Sequence, residues 1–258
     1  MRVFCVANQK GGVGKTTTTV NLAASLAAVK QRVLLIDLDP QGNATMGSGI
    51  DKRELEATVY HLLLGSKTLT EVRQRAEVGK YDVLPANRDL AGAEIELVDV
   101  SDRETRLKEA LQPVLAEYDY ILIDCPPALN LLTLNGLCAA RTVMIPMQCE
   151  YYALEGLSDL VNTIRKVRAN LNPVLEIEGL LRTMFDPRNS LAQQVSDQLQ
   201  QHFGDKVYRT VIPRNVRLAE APSYGVPVLY HDNLSKGTQA YLALADEMIN
   251  KVAQPAEA

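Results

Sequence analysis

Gln9-Lys10-Gly11-Gly12-Val13-Gly14-Lys15-Thr16-Thr17 follows the apolar run Arg2-Val3-Phe4-Cys5-Val6-Ala7 and leads into an Ala- and Leu-rich segment over 15–29. A strand, a glycine-rich turn and a helix in this order form the context that a phosphate loop requires. The glycines let the backbone curl until successive N–H groups point inward, and the helix N-terminus adds partial positive charge. The expected phosphate-binding residues are therefore Gly11, Gly12, Val13, Gly14, Lys15, Thr16 and Thr17. Lys15 supplies a point charge to the β- and γ-phosphates of a nucleotide, and the Thr16 hydroxyl is placed to ligate Mg²⁺. The loop departs from the common pattern because Gln9 holds the first glycine position and a second lysine, Lys10, follows it.

Outward from the loop, short β-rich runs recur at Val33-Leu34-Leu35-Ile36, Tyr81-Asp82-Val83-Leu84, Tyr120-Ile121-Leu122-Ile123, Thr142-Val143-Met144-Ile145 and Ile177-Glu178-Gly179-Leu180-Leu181. Helix-period stretches separate them, over 15–29, 87–98, 103–116, 131–140, 153–170, 190–203 and 236–252. Apolar strands joined through helices imply crossovers, and hence a doubly wound α/β fold, a mostly parallel sheet with helices on both faces. Ligands of such sheets bind beyond the carboxyl ends of the strands. The reading is one domain over 1–258, without internal repeat or linker, ending in a short tail over 253–258.

Composition agrees with a soluble globular protein. Of 258 residues, 47% are hydrophobic and 22% charged, which argues against disorder. A net charge of −4 excludes a generally basic nucleic-acid coat, yet residues 165–217 carry nine Lys/Arg against five Asp/Glu, a local +4. Cys5, Cys125, Cys138 and Cys149 show neither a C-x-x-C pair nor zinc-site spacing, and read as reduced, buried residues. No charged-then-apolar leader and no run of membrane-span length is present, so the expected location is cytoplasmic.

Two carboxylate strings follow apolar strands. Asp37-Leu38-Asp39-Pro40-Gln41-Gly42-Asn43 places two acids at i, i+2, both expected to point toward the phosphate loop. Asp124-Cys125-Pro126-Pro127 is an apolar strand ending in an acid, the Walker B arrangement, in which Asp124 is expected to hold Mg²⁺ through a bound water.

With Lys10, the missing first glycine and these strings in this order, the sequence resembles the deviant Walker A ATPases. That group includes the ParA/Soj partition proteins, MinD and the nitrogenase iron protein. Gln148-Cys149-Glu150-Tyr151-Tyr152-Ala153-Leu154-Glu155-Gly156-Leu157 and Val211-Ile212-Pro213-Arg214-Asn215-Val216-Arg217 favour the chromosomal ParA/Soj branch. The resemblance runs from about residue 2 to 252. It implies an ATPase using ATP and Mg²⁺, in which Lys10 reaches the nucleotide of the other subunit of an ATP-bound homodimer. Asp37 would help order the metal and phosphate-loop groups, Asp39 would position the attacking water, and the segment over 211–223 would pack against the adenine, with the base near Pro213 and Asn215. It further implies binding to double-stranded DNA without sequence preference, through Arg188 and Arg217 with Lys206, Arg209 and Arg214 as weaker candidates. A ParB-like partner would stimulate hydrolysis, and the protein would be nucleoid-associated.

Other readings of the loop fit less well. A MinD-like membrane switch needs a terminal basic amphipathic helix, whereas Lys236 to Val252 carries Asp246 and Glu247 and leads into an acidic tail. Cluster cysteines for an iron–sulfur carrier are missing from the spacing. A small-molecule kinase or carboxylate-activating ligase usually adds a substrate lid or second domain, for which the chain offers no insertion. The expected partners are thus DNA and a protein, with cargo either DNA or a protein cluster, and no membrane.

Overall fold

The computed structural model describes residues 1–253. The tail expected over 253–258 lies, past Ala253, outside the described residues. Among the described residues, seven strands form one sheet: β1 Arg2–Val6, β2 Val33–Asp37, β3 Gln74–Ala76, β4 Tyr81–Leu84, β5 Tyr120–Asp124, β6 Thr142–Gln148 and β7 Glu176–Thr183. Their order is β3-β4-β2-β5-β1-β6-β7. All pairings are parallel except that of β3 with β4. The doubly wound fold expected from the sequence is thus the fold observed, with one short antiparallel strand at its edge.

The apolar runs are continuous because the central strands are buried on both faces. Val3 and Cys5 of β1, Leu34 and Ile36 of β2, and Ile121 and Ile123 of β5 join one apolar cluster. Their alternates Phe4, Val6, Val33, Leu35 and Leu122 join the other. The first face is covered by several helices, among them Leu131–Ala139, Ala153–Asn170 and Ser190–Phe203. The second is covered chiefly by Lys15–Ala28 and the last helix, Lys236–Ala253, through Leu22, Leu26, Tyr241, Leu244 and Met248.

The helix expected over 103–116 is broken. An α-helix spans Arg106–Leu111 and continues as a 3₁₀ turn over Gln112–Glu117, since Pro113 has no N–H to donate to the preceding turn. The helix expected over 87–98 shortens to Leu90–Glu96.

Register sets up the site. Asp37 pairs with Asp124, and Asp124 with Val6, so the carboxyl ends of β2, β5 and β1 are level. Residues opposite each other in a parallel ladder project to the same face. Asp37 and Asp124 therefore meet beside the start of the loop that follows β1.

Candidate functional site: a nucleotide pocket at the carboxyl edge

The loop after β1 is held in the shape its glycines permit. Gly12 and Gly14 have φ of 73° and 89°, a left-handed region costly for any residue with a Cβ. Gly14 is the N-cap of Lys15–Ala28, without a side-chain cap and without an acidic residue in the first turn. The first N–H groups of this helix are thus left for a ligand, and the local charge favours an anion. Two anchors tie the loop to neighbouring strands: Thr183 Oγ1 donates to the Val13 carbonyl at 2.7 Å, and Asn8 Nδ2 donates to the Pro146 carbonyl at 2.8 Å.

Lys15 is buried, and its Nζ donates to the Lys10 carbonyl at 3.0 Å. Burial lowers its pKa, and the charge of Asp124 acts against that shift. A buried ammonium has few partners in this arrangement, so an anion in the loop gains a strong one. Beside it opens a cavity of about 610 Å³. It is lined by Gly11, Gly12, Gly14, Lys15, Thr16 and Thr17 of the phosphate loop, by Ile212, Pro213, Asn215 and Leu218, and by Asp39, Gln41, Asn43 and Tyr241, whose hydroxyl lies 3.1 Å from Thr18 Oγ1. The loop lining suits phosphates and the apolar lining from 212–218 a base, within the size range of small-ligand pockets.

Beneath the loop, Thr16 Oγ1 donates to Asp124 Oδ2 at 2.7 Å and Thr19 Oγ1 donates to Asp124 Oδ1 at 3.0 Å. Asp37 Oδ2 accepts from both the N–H and the Oγ1 of Thr45, each at 2.8 Å, while Asp37 Oδ1 accepts from the Asp39 N–H at 3.1 Å. Both acids are fully buried. Burial raises the pKa of Asp37 against the lowering effect of its donors, and raises that of Asp124, with the Asp37 charge as the next cause. Two buried carboxyls facing each other hold a proton readily, or a cation in its place. Among the described residues no group of three or more His, Cys, Asp or Glu side chains is placed to hold a metal ion. One hydroxyl, a carboxylate and phosphate oxygens match the few-ligand habit of Mg²⁺.

The Asp37/Asp39 pair divides its surroundings. Asp39 is half-buried, lines the cavity and accepts from the Gln41 N–H at 2.9 Å. Asp37 faces Thr45 and Asp124, and its hydrogen bonds go to its own segment, not to the phosphate loop. Asp39 thus reaches the cavity wall while Asp37 lies beneath the loop beside Asp124, because Asp39 lies beyond the strand, where the two-residue alternation ends.

Lys10 lies outside the cavity lining. It is exposed, and its Nζ pairs with Glu150 beside the exposed Tyr151 and Tyr152. The late arginines are exposed as well. Arg188 chelates Asp186 through Nε and Nη2, at 2.9 and 2.8 Å. Arg217 reaches Glu220 at 2.8 Å and Asp232 at 3.3 Å. A bridge between Phe185 and Pro213 brings the Arg188 and Arg214 loops side by side. Lys206 lies further back, where Val207 joins the edge beside Leu180.

A family model described as "AAA domain" matches residues 1–177. Sporulation initiation inhibitor protein Soj of Bacillus subtilis is 55% identical over 247 residues, covering 96% of this chain and 98% of Soj. Chromosome partitioning protein ParA of Myxococcus xanthus is 53% identical over 250 residues, covering 97% of this chain and 88% of its own. The chain belongs to the ParA/Soj family of chromosome-partitioning ATPases. Among solved structures, one from Mycobacterium smegmatis, described as cobyrinic acid a,c-diamide synthase with bound ADP and magnesium, superposes with a TM-score of 0.86. It is 38% identical and covers 98% of this chain and 96% of its own.

Within this ParA/Soj chain, the residues singled out in the sequence separate into a floor and a rim. Lys15, Thr16, Asp37 and Asp124 meet under the loop, with Asp39, Pro213 and Asn215 around the cavity. Lys10, Arg188, Arg214, Arg217 and Lys206 are exposed. Sequence reading missed Thr183, Met184 and Tyr241 as lining residues. The position of Thr183 at the carboxyl end of β7 was a usable signal. Tyr241 comes from the second turn of the last helix, where only tertiary packing places it.

Among the described residues, no helix is long and apolar enough to cross a membrane.

Proposed function

We propose that this chain is one ATPase domain that binds ATP with Mg²⁺, closes into a homodimer and in that state binds double-stranded DNA without sequence preference. A ParB-like partner then stimulates its slow hydrolysis and releases it, so that a chromosome or plasmid is moved. The location that follows is cytoplasmic and nucleoid-associated. The observation that carries this reading is the division between its two lysines. Lys15 is buried in the cavity that its own loop lines, while Lys10 stands exposed on the rim, where it is available to a second copy.

In this account the loop N–H groups and Lys15 hold the β- and γ-phosphates, and Pro213 and Asn215 bound the base. Thr16 and Asp124, with Asp37 behind them, would hold the cation, which neutralises charge building on the phosphate oxygens. Asp39, at the cavity wall, orients the water that attacks the γ-phosphorus. Positioning and charge account for most of such catalysis. Lys10 meets a γ-phosphate only in the closed dimer, so ATP favours that state and hydrolysis removes the contact. Its pairing with Glu150 is an exposed one and yields readily.

Asp39→Ala tests the cycle. The variant should bind ATP and DNA but remain on DNA after partner is added, with turnover reduced to background. Normal turnover would remove Asp39 from catalysis. The same assay run with carboxylated small molecules in place of DNA and partner addresses the ligase reading, which the name of the M. smegmatis structure keeps in view. Stimulation by such a molecule alone would overturn the partitioning account.

A further inference from the structure

The segment after β2 returns to the sheet as a short helix, Asn43–Gly47, and Thr45 in it is fully buried. Its side chain is used twice. The hydroxyl donates to Asp37 Oδ2 at 2.8 Å and accepts from the Ala86 N–H at 2.9 Å, while the Thr45 N–H donates to the same carboxylate oxygen at 2.8 Å. Ala86 follows β4, the neighbour of β2 in the sheet. The close fit extends to Gly42, whose φ is 61° and where a Cβ would lie 2.6 Å from the Ala86 carbonyl oxygen.

A buried carboxylate that takes two donors on one oxygen has a fixed plane. Its other oxygen accepts the Asp39 N–H, so the same fixation sets the start of the turn that carries Asp39 into the cavity. We infer that Thr45 is a positioning residue, which through its Oγ1 link between Ala86 and Asp37 orients Asp37 for the cation site and aligns the Asp39 turn. The inference rests on the proposed cation site. Thr45 touches neither cation nor nucleotide; it acts through Asp37, as groups behind metal ligands commonly do.

The test is Mn²⁺ binding to the full chain with a non-hydrolysable ATP analogue, read by electron paramagnetic resonance, in Thr45→Val, Thr45→Ser and Asp37→Asn. Thr45→Val keeps shape but removes the donor and the acceptor, and should weaken Mn²⁺ roughly 10-fold or more, within the 10- to 100-fold range usual for outer-shell partners. Thr45→Ser keeps both functions and should stay within about twofold of the parent, a rescue that a packing role alone would not require. Nucleotide binding in EDTA should be equal in the parent and both Thr45 variants. If Thr45→Val does not fold, Thr45→Cys, isosteric with serine and a weak donor, should show the same loss.

Unchanged Mn²⁺ affinity in Thr45→Val, with Asp37→Asn impaired, overturns the inference and leaves the cation site standing. Equal impairment in the Ser and Val variants also overturns it. Unchanged affinity in Asp37→Asn overturns the cation reading of Asp37, and the inference with it.

Discussion

The floor of the nucleotide pocket and its basic rim are built in opposite ways. On the floor, Lys15, Asp37 and Asp124 are buried and hydrogen-bonded to fixed backbone or hydroxyl partners. On the rim, Lys10, Arg188 and Arg217 are exposed and paired with carboxylates of their own chain, Glu150, Asp186, Glu220 and Asp232. A buried, satisfied constellation is preorganised and costly to change, whereas exposed ion pairs are weak, screened by salt and easily exchanged. The floor therefore suits chemistry that must be the same in every cycle. The rim suits contacts that are made in one nucleotide state and broken in the next.

The largest expected effect comes from breaking the floor. Lys15→Ala should weaken nucleotide binding roughly 100-fold or more, because the phosphates lose their buried counter-charge. Titration with a fluorescent ATP analogue checks it, and a loss of only a few-fold would mean that the loop N–H groups suffice.

Reversing the rim should leave the floor intact. Arg188→Glu with Arg217→Glu should cut DNA affinity at moderate salt by about tenfold or more, flatten its salt dependence and spare basal ATP hydrolysis. The free chain already neutralises both arginines, so DNA binding requires phosphates to take the places of Asp186, Glu220 and Asp232. Undiminished DNA retention would place the contact surface elsewhere.

A smaller effect should appear in metal-free stability. Asp37 and Asp124 both titrate above the ordinary carboxylate value when folded. The folded chain thus holds protons that the unfolded chain has released, and stability falls as pH rises from about 4 through the raised folded values. The slope per proton is at most about 1.4 kcal/mol per pH unit. Melting of the metal-free protein should fall in temperature between pH 6 and 8, less steeply in Asp37→Asn. Mg²⁺ with nucleotide should also flatten it, since the cation takes the proton's place.

The same contrast separates what the sequence disclosed from what it hid. The phosphate loop was legible because its chemistry is local: the glycines, Lys15 and Thr16 lie within seven consecutive residues. The strands were legible because burial on both faces turns them into unbroken apolar runs. Gln74–Ala76 was not, since three residues with only Ala76 buried carry no pattern, and it pairs antiparallel only because the Gly79-Lys80 turn returns it to β4. Thr45 escaped notice for a related reason. It reads as a polar residue in a turn, and its partners come from β2 and the loop beyond β4, which only the folded sheet brings together. For the late arginines, local charge singled out a stretch, but it gave no sign of the carboxylates that hold Arg188 and Arg217.

Lys10 joins floor to rim, and the proposed cycle depends on its reach to the nucleotide of a second copy. The most direct test is the ATP-dependent mass in solution, by light scattering, of Asp39→Ala and of Asp39→Ala combined with Lys10→Ala. Asp39→Ala should be a dimer with ATP and a monomer with ADP, while the double variant should bind ATP and stay monomeric. A double variant that dimerises with ATP would contradict it.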